Sequence, residues 1–208
     1  MPPKFKFKRE EIVEAAVNLT RRGGVDAVTA RGIAKELGVS TQPIFTCFKN
    51  MEEAKEEVRI YAEKLCHNYL EKGVEASIPF FGFGMAYIRF AKEEPELYKM
   101  LFINPDKEGE SMLDTLSGIR LIVINSIEKT YRFNEKESKR LFRDVWFTAH
   151  SIATLCVGGI CPYSDDEIAK ILTGVSVSIC KSIKEIKGFV DNNFDRDEVF
   201  SKIIEEKL

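Results

Sequence analysis

Between Thr29 and Lys49 the sequence TARGIAKELGVSTQPIFTCFK gathers hydroxyls, an amide and cations at spacings that a helix turns to one side. Thr29 and Arg31 open one short apolar-periodic run, and Ser40, Thr41, Gln42, Phe45, Thr46 and Lys49 lie along a second. The chemistry open to such a set is recognition, not bond-making. Hydroxyls and a lysine donate to phosphate oxygens, a glutamine amide bridges adenine N6 and N7, arginine reaches guanine or a phosphate, and an aromatic edge rests on sugar or a thymine methyl. A plain solvated helix face uses the same residue types, so the elements beneath them decide between the two readings.

Those elements read as two short helices joined by a tight turn. Thr29 is placed to cap the first, Ile33, Ala34 and Leu37 share its apolar face, and Gly38 stands where a left-handed residue is wanted. Ser40 is placed to cap the second helix, and Pro43 is admissible only in that helix's first turn, where its missing N–H has no intrahelical partner. Ile44 and Phe48, four apart, point back at the first helix. The layout is a helix-turn-helix with the second helix in the reading position. Upstream, a helix from about Lys8 to Arg22 has Glu10 and Glu11 in its first turn, Arg21 and Arg22 in its last, and Gly23-Gly24 as its stop. Its Ile12, Ala16 and Leu19, beside Val13 and Val17, can cover the helix-turn-helix. Ahead of it Lys4, Lys6, Lys8 and Arg9 alternate with Phe5 and Phe7, an arm either solvated or in contact with phosphates.

The net charge of −2 over 208 residues conceals an asymmetry that supports an anionic partner. Residues 1–50 hold nine Lys and Arg against five Asp and Glu, so the rest of the chain is acidic. No apolar run is long enough to span a bilayer, no apolar segment follows the basic start as a secretory signal would require, and a cytoplasmic location is expected. Five scattered cysteines point to reduced thiols.

The segment TARGIAKELGVSTQPIFTCFKNMEEAKEEV resembles the DNA-binding domain of the TetR/AcrR family of bacterial transcription regulators. Thr29, Arg31, Ile33, Ala34, Gly38, Val39, Ser40, Phe45, Phe48 and Lys49 match the family pattern in order and spacing. Four positions depart from it: Phe45 stands where the family usually has Tyr, Cys47 where His is frequent, Met51 where Lys is common, and Ala54 where Leu is usual. The resemblance implies an all-α protein with a three-helix DNA-binding head over 1–52 and a helical effector-binding and dimerisation body over 53–208. It implies a homodimer on a palindromic double-stranded operator, most often as a repressor, released when a small effector moves the long helix that follows the head.

The body's own pattern is helical throughout. A long helix is expected from Asn50 to Glu71, an aromatic segment from Pro79 to Lys92, a short helix from Pro95 through PELYKMLF, and another from about Glu110 to Tyr131 burying Met112, Leu116, Ile119, Val123 and Ile127. Asn134 opens a helix to about Val157 with two apolar stripes, Leu141, Val145, Ile152 and Leu155, and Phe142, Trp146, Ala153 and Val157. Ser164 with Glu167 forms a capping box for the next, whose core stripe is Ile168, Leu172, Val175, Ile179, Ile183 and Ile186 and whose other side carries small residues such as Gly174 and Ser178. Surplus faces on adjacent helices suit a four-helix interface between two copies, or a thicker core in one. A last short helix is expected to dock Val199, Phe200 and Ile203. Phe81, Met85, Phe90, Tyr98, Trp146 and His150 are the residues named for an apolar effector cavity, with Asn125 as a further polar tip; each could equally fill a core.

Catalytic chemistry finds little footing. His67 and His150 are far apart, no metal-ligand spacing occurs, and no nucleophile or phosphate-loop pattern appears, so no metal, cofactor or enzymatic activity is expected. Cys66, Cys156 and Cys180 are expected as core thiols. Cys47, placed on the outer face of the reading helix, keeps open a redox-sensing regulator as the alternative, with a small-molecule-modifying helical enzyme a more distant one.

Overall fold

The computed structural model describes residues 7–104 and 116–205. Lys4 and Lys6, Met112 with the expected helix start near Glu110, and the chain end beyond 205 lie outside the described residues. Ten α-helices and one 3-10 turn are described, without a strand among the described residues, so the all-α expectation holds. The chain divides into two compact units, one of Met1–Glu71 with Arg89–Ser117 and one of Lys72–Ile88 with Gly118–Leu208.

The first unit begins with α1 (Arg9–Gly23), a 3-10 turn (Val25–Ala27), α2 (Ala30–Leu37), α3 (Gln42–Cys47) and α4 (Met51–Val74) as far as Glu71. Glu10 and Glu11 complement the positive end of α1, the Glu11 carboxylate accepts the Lys8 backbone N–H at 2.6 Å, and Arg21 and Arg22 occupy the negative end. Its core face is Ile12, Ala15, Ala16, Val17 and Thr20; Val13 and Leu19, expected inside, are half-buried at its margin. Helix α4 presents Ala54, Val58, Ala62, Cys66 and Leu70, each four residues from the last and all buried. Burial pushes the Cys66 thiol well up from its ordinary range, which makes it an inert core residue. Helix α5 (Pro79–Glu93) rejoins this unit from Arg89, α6 (Pro95–Phe102) follows, and α6 packs on α1 through a face in which Leu97 and Tyr98 are fully enclosed.

The second unit holds α7 (Ser117–Tyr131), α8 (Glu135–Val157), α9 (Asp165–Glu185) and α10 (Arg196–Glu205). Reciprocal capping boxes start α8 and α9. The Glu137 N–H donates to Asn134 at 3.1 Å and the Asn134 N–H to Glu137 at 2.7 Å, and Ser164 and Glu167 repeat the exchange. The two apolar stripes expected on α8 converge on one buried face, Ser138, Leu141, Phe142, Val145, Trp146, Ala149, Ile152 and Ala153, while Leu155 and Phe147 are left outside. On α9 only Ile168, Leu172 and Ile183 are buried; Val175, Ile179 and Ile186 are half-buried. Helix α10 departs from expectation. It buries no residue, with Phe200 and Ile203 exposed and Val199 half-buried. Cys156 and Cys180 are likewise half-buried rather than core.

Within the second unit the end of α4 and the start of α5 come together at two glycines. A Cβ on Gly73 would meet the Gly82 carbonyl oxygen at 2.6 Å, and one on Gly82 would meet the Gly73 oxygen at 2.0 Å. Only bare backbone fits there.

Candidate nucleic-acid interface

The candidate interface rests on caps that the local sequence dictates. Thr29 Oγ1 accepts the Gly32 N–H at 3.0 Å, which fixes the start of α2 and leaves the hydroxyl proton available to a phosphate. At its other end Gly38 is left-handed (φ 66°, ψ 37°), and the Val39 N–H returns to the Ala34 carbonyl at 2.9 Å. The chain then turns into α3 with Pro43 in its first turn. Ser40 does not cap this helix. Thr41 precedes its first residue, already in helical backbone geometry (φ −74°, ψ −12°) and without a side-chain capping bond, because a capping side chain reaches back only from an extended residue.

Ile44 and Phe48 are buried at 0% and 2% exposure and fasten α3 to the unit's core, which turns the opposite side of the helix outward. Gln42, Phe45, Thr46 and Lys49 are exposed, as are Thr29, Arg31 and Ser40; Thr41 is half-buried. Phe45 leaves 55% of its surface in solvent, which is apolar area suited to a sugar or a thymine methyl. Thr46 Oγ1 donates to the Gln42 carbonyl at 2.9 Å, so this hydroxyl offers lone pairs, not its proton, to a partner. Cys47 is half-buried.

Two features were missed in reading the sequence. The first is the junction of α3 and α4. Asn50 Oδ1 accepts the Glu53 N–H at 2.9 Å, and the Glu53 carboxylate accepts the Lys49 N–H at 2.8 Å, so the backbone of Lys49 is pinned while its ammonium stays exposed. That N–H bond, with Arg9 second, holds the Glu53 carboxyl below the usual carboxylate range. The second is Arg9, expected as part of a basic arm. Its guanidinium turns inward to the Cys47 carbonyl at 2.5 Å, Glu57 at 2.7 Å and Glu53 at 3.0 Å, and lies 4.4 Å from the centre of the Phe48 ring. The Asn50-x-x-Glu53 spacing could have signalled the cap; nothing local could have signalled partners 44 and 48 positions away.

The six residues expected at an effector site are shared between the two units. Phe90 and Tyr98 belong to the first unit, where Phe90 meets Tyr69 edge-on and Tyr98 packs on Phe102. Phe81 and Met85, both half-buried, belong to the second with Trp146 and His150. Trp146 and His150 stack at 5.2 Å with 21° between their planes, and the Tyr87 hydroxyl lies 2.9 Å from His150 Nδ1. The Trp146 Nε1 donor is buried without a hydrogen-bond partner among the described residues, and burial lowers the His150 imidazole from its ordinary range. Asn125 is exposed on α7. An open groove of about 530 Å³ between α9 and α10 is bordered by none of the six.

Residues 12–57 match the family described as "Bacterial regulatory proteins, tetR family". On that match the chain is a DNA-binding transcription regulator with a TetR family head. Its fold is similar to that of a solved structure from Rhodococcus sp. RHA1, titled "Structure of a protein with unknown function", at 20% identity and a TM-score of 0.68 over 88% of this chain and 98% of that one. No curated protein matches. Among the described residues, no helix is long and apolar enough to cross a membrane and no cluster of His, Cys, Asp and Glu could hold a metal.

Proposed function

We propose that the chain is a cytoplasmic, ligand-responsive repressor that binds a palindromic operator as a homodimer, without catalysis. Its head, residues 1–52, places α3 of each copy in successive major grooves; its body, residues 53–208, joins the copies and takes a small apolar effector. The observation that carries this reading is the division of α3. Ile44 and Phe48 lock one side into the core, and Gln42, Phe45, Thr46 and Lys49 present amide, aromatic, hydroxyl and cation on the other. Thr29, Arg31, Ser40 and Thr41 flank them as further DNA contacts.

Dimerisation is supported by apolar surface on α8 and α9. Phe147 and Val177 are 54% and 61% exposed, Leu155 is exposed, and Gly174 and Ser178 leave room for a helix of the second copy. The effector is supported by the Tyr87, Trp146 and His150 group, whose buried indole N–H would meet a ligand oxygen. Selection of bound duplexes from a random DNA pool tests the whole reading. Inverted half-sites one helical turn apart are expected; enrichment of an isolated half-site, or of none, defeats it.

A further inference from the structure

The reading helix is too short to orient itself. Helix α3 has six residues, no side-chain cap at its start, and a C-terminus at Cys47 whose carbonyl groups lack intrahelical donors. A helix of that length holds its direction only through what it is fastened to. Ile44 and Phe48 fasten it from beneath, but greasy contacts resist rotation of a helix poorly. The polar fixings are therefore informative, and in this head they converge on one side chain.

Arg9 stands at the first position of α1, and its guanidinium reaches three acceptors on two other elements. One Nη donates to the Cys47 carbonyl at the end of α3, at 2.5 Å. The other donates to Glu57 at 2.7 Å and Glu53 at 3.0 Å, both on α4. The guanidinium carbon also lies 4.4 Å from the centre of the Phe48 ring, at the residue that ends α3. Glu53 in turn holds the Lys49 N–H. The end of α3, the phosphate-facing Lys49 and the first two turns of α4 are thus joined through one planar cation. An arginine suits this place because its fork is rigid and donates in several directions at once, which a lysine ammonium on a flexible stem does not reproduce.

We propose that Arg9 is a positioning residue for DNA recognition: it makes no phosphate contact and instead sets the angle of the reading helix by bridging the Cys47 carbonyl to Glu53 and Glu57. The inference rests on α3 being the DNA-reading element and adds to that reading a residue that acts through others. It carries a counter-intuitive sign. Glu57 is an acidic side chain in a head that binds a polyanion, so by charge alone its removal strengthens DNA binding. If it holds Arg9 in place, its removal weakens binding.

The test is DNA affinity across a salt series for Arg9→Ala, Arg9→Lys, Glu57→Gln and Lys49→Ala, using the duplex obtained from the random pool and an unrelated duplex as probes. Arg9→Ala and Glu57→Gln are expected to weaken binding to the selected duplex by about tenfold, with less effect on the unrelated one. The slope of log affinity on log salt should stay at the wild-type value for both, Arg9→Lys should not restore affinity, and the Arg9→Ala/Glu57→Gln double variant should be no weaker than the worse single one. Lys49→Ala serves as the control and should lower the slope by about 1.8, since each copy of the dimer loses one phosphate contact. A slope that falls by a like amount in Arg9→Ala, with rescue by lysine, makes Arg9 a phosphate contact and overturns the proposal. So does a Glu57→Gln protein that binds as well as wild type or better. Glu57→Gln keeps the experiment decisive should Arg9→Ala fail to fold. If Lys49→Ala also leaves binding untouched, the assignment of α3 fails and takes the proposal with it; if Lys49→Ala behaves as expected and the Arg9 and Glu57 variants match wild type, the proposal alone is lost.

Discussion

Arg21 and Glu94 meet through two separate bonds, Nε to one carboxylate oxygen at 2.8 Å and an Nη to the other at 2.6 Å, tying the last turn of α1 to the residue that precedes α6. The Glu94 hydrogen bond is foremost among the causes that raise the Arg21 pKa above its ordinary value. Such a paired geometry is worth more than a single exposed contact, although the arginine side chain is 35% exposed and solvent screens part of the attraction.

We therefore expect Glu94→Gln to lower stability by roughly 1 kcal/mol. Urea unfolding checks this, and a midpoint unchanged from wild type would show the pair to be energetically idle. Arg21→Lys should lose a similar amount, because an ammonium cannot make both bonds.

Lys49 and Gln42 should separate when they are mutated. Lys49→Ala is expected to weaken binding to every duplex alike and flatten its salt dependence, whereas Gln42→Ala loosens base preference at one position per half-site by about 1–3 kcal/mol. Binding to a panel of operator variants reads the difference. Identical profiles for the two proteins would mean that their assigned roles are wrong.

His150 predicts an acid-side loss of stability. Its folded pKa is depressed by burial, so between that value and the unfolded value of about 6.5 the unfolded chain holds more protons. Stability should then fall as the pH is lowered from about 7, with no corresponding loss above it. Thermal midpoints measured for wild type and His150→Gln should diverge only on the acid side.

Val177 lies 61% exposed on the face proposed to meet a second copy. Val177→Lys is expected to shift sedimentation toward monomer and to weaken operator binding, while leaving monomer stability within about 0.5 kcal/mol. A variant that remains dimeric would place the interface elsewhere.

Trp146 is the single tryptophan of the chain and is 2% exposed, so its emission reports on its surroundings without labelling. A small apolar compound that releases DNA should alter that emission over the same concentration range. Release without a change in emission would remove Trp146 from the effector site.

What could be read in advance was governed by distance along the chain. The Thr29 cap, the left-handed Gly38, Pro43 in a first turn, the helix start at Asn134 and the capping box at Ser164 each depend on residues within five positions, and all stand as their spacing indicates. Ser40 misled because hydroxyl type alone does not say which residue keeps an extended backbone. Leu155 and Phe200 misled because apolar periodicity marks a face without naming what covers it. The inward turn of Arg9 lay out of reach for a different reason: its acceptors are brought to it only once three helices have packed.

The bare crossing of Gly73 and Gly82 bears on how this chain can diverge. The other residue's main-chain oxygen stands in the way at both, beside the Ala86 Cβ at 2.6 Å for Gly73 and the Ala76 Cβ at 2.7 Å for Gly82, and no substitution changes a carbonyl. The two positions thus cannot relieve one another as a large and a small side chain do across a core. Descendants that keep this geometry therefore inherit both glycines as separate constraints, neither of which a second mutation can lift.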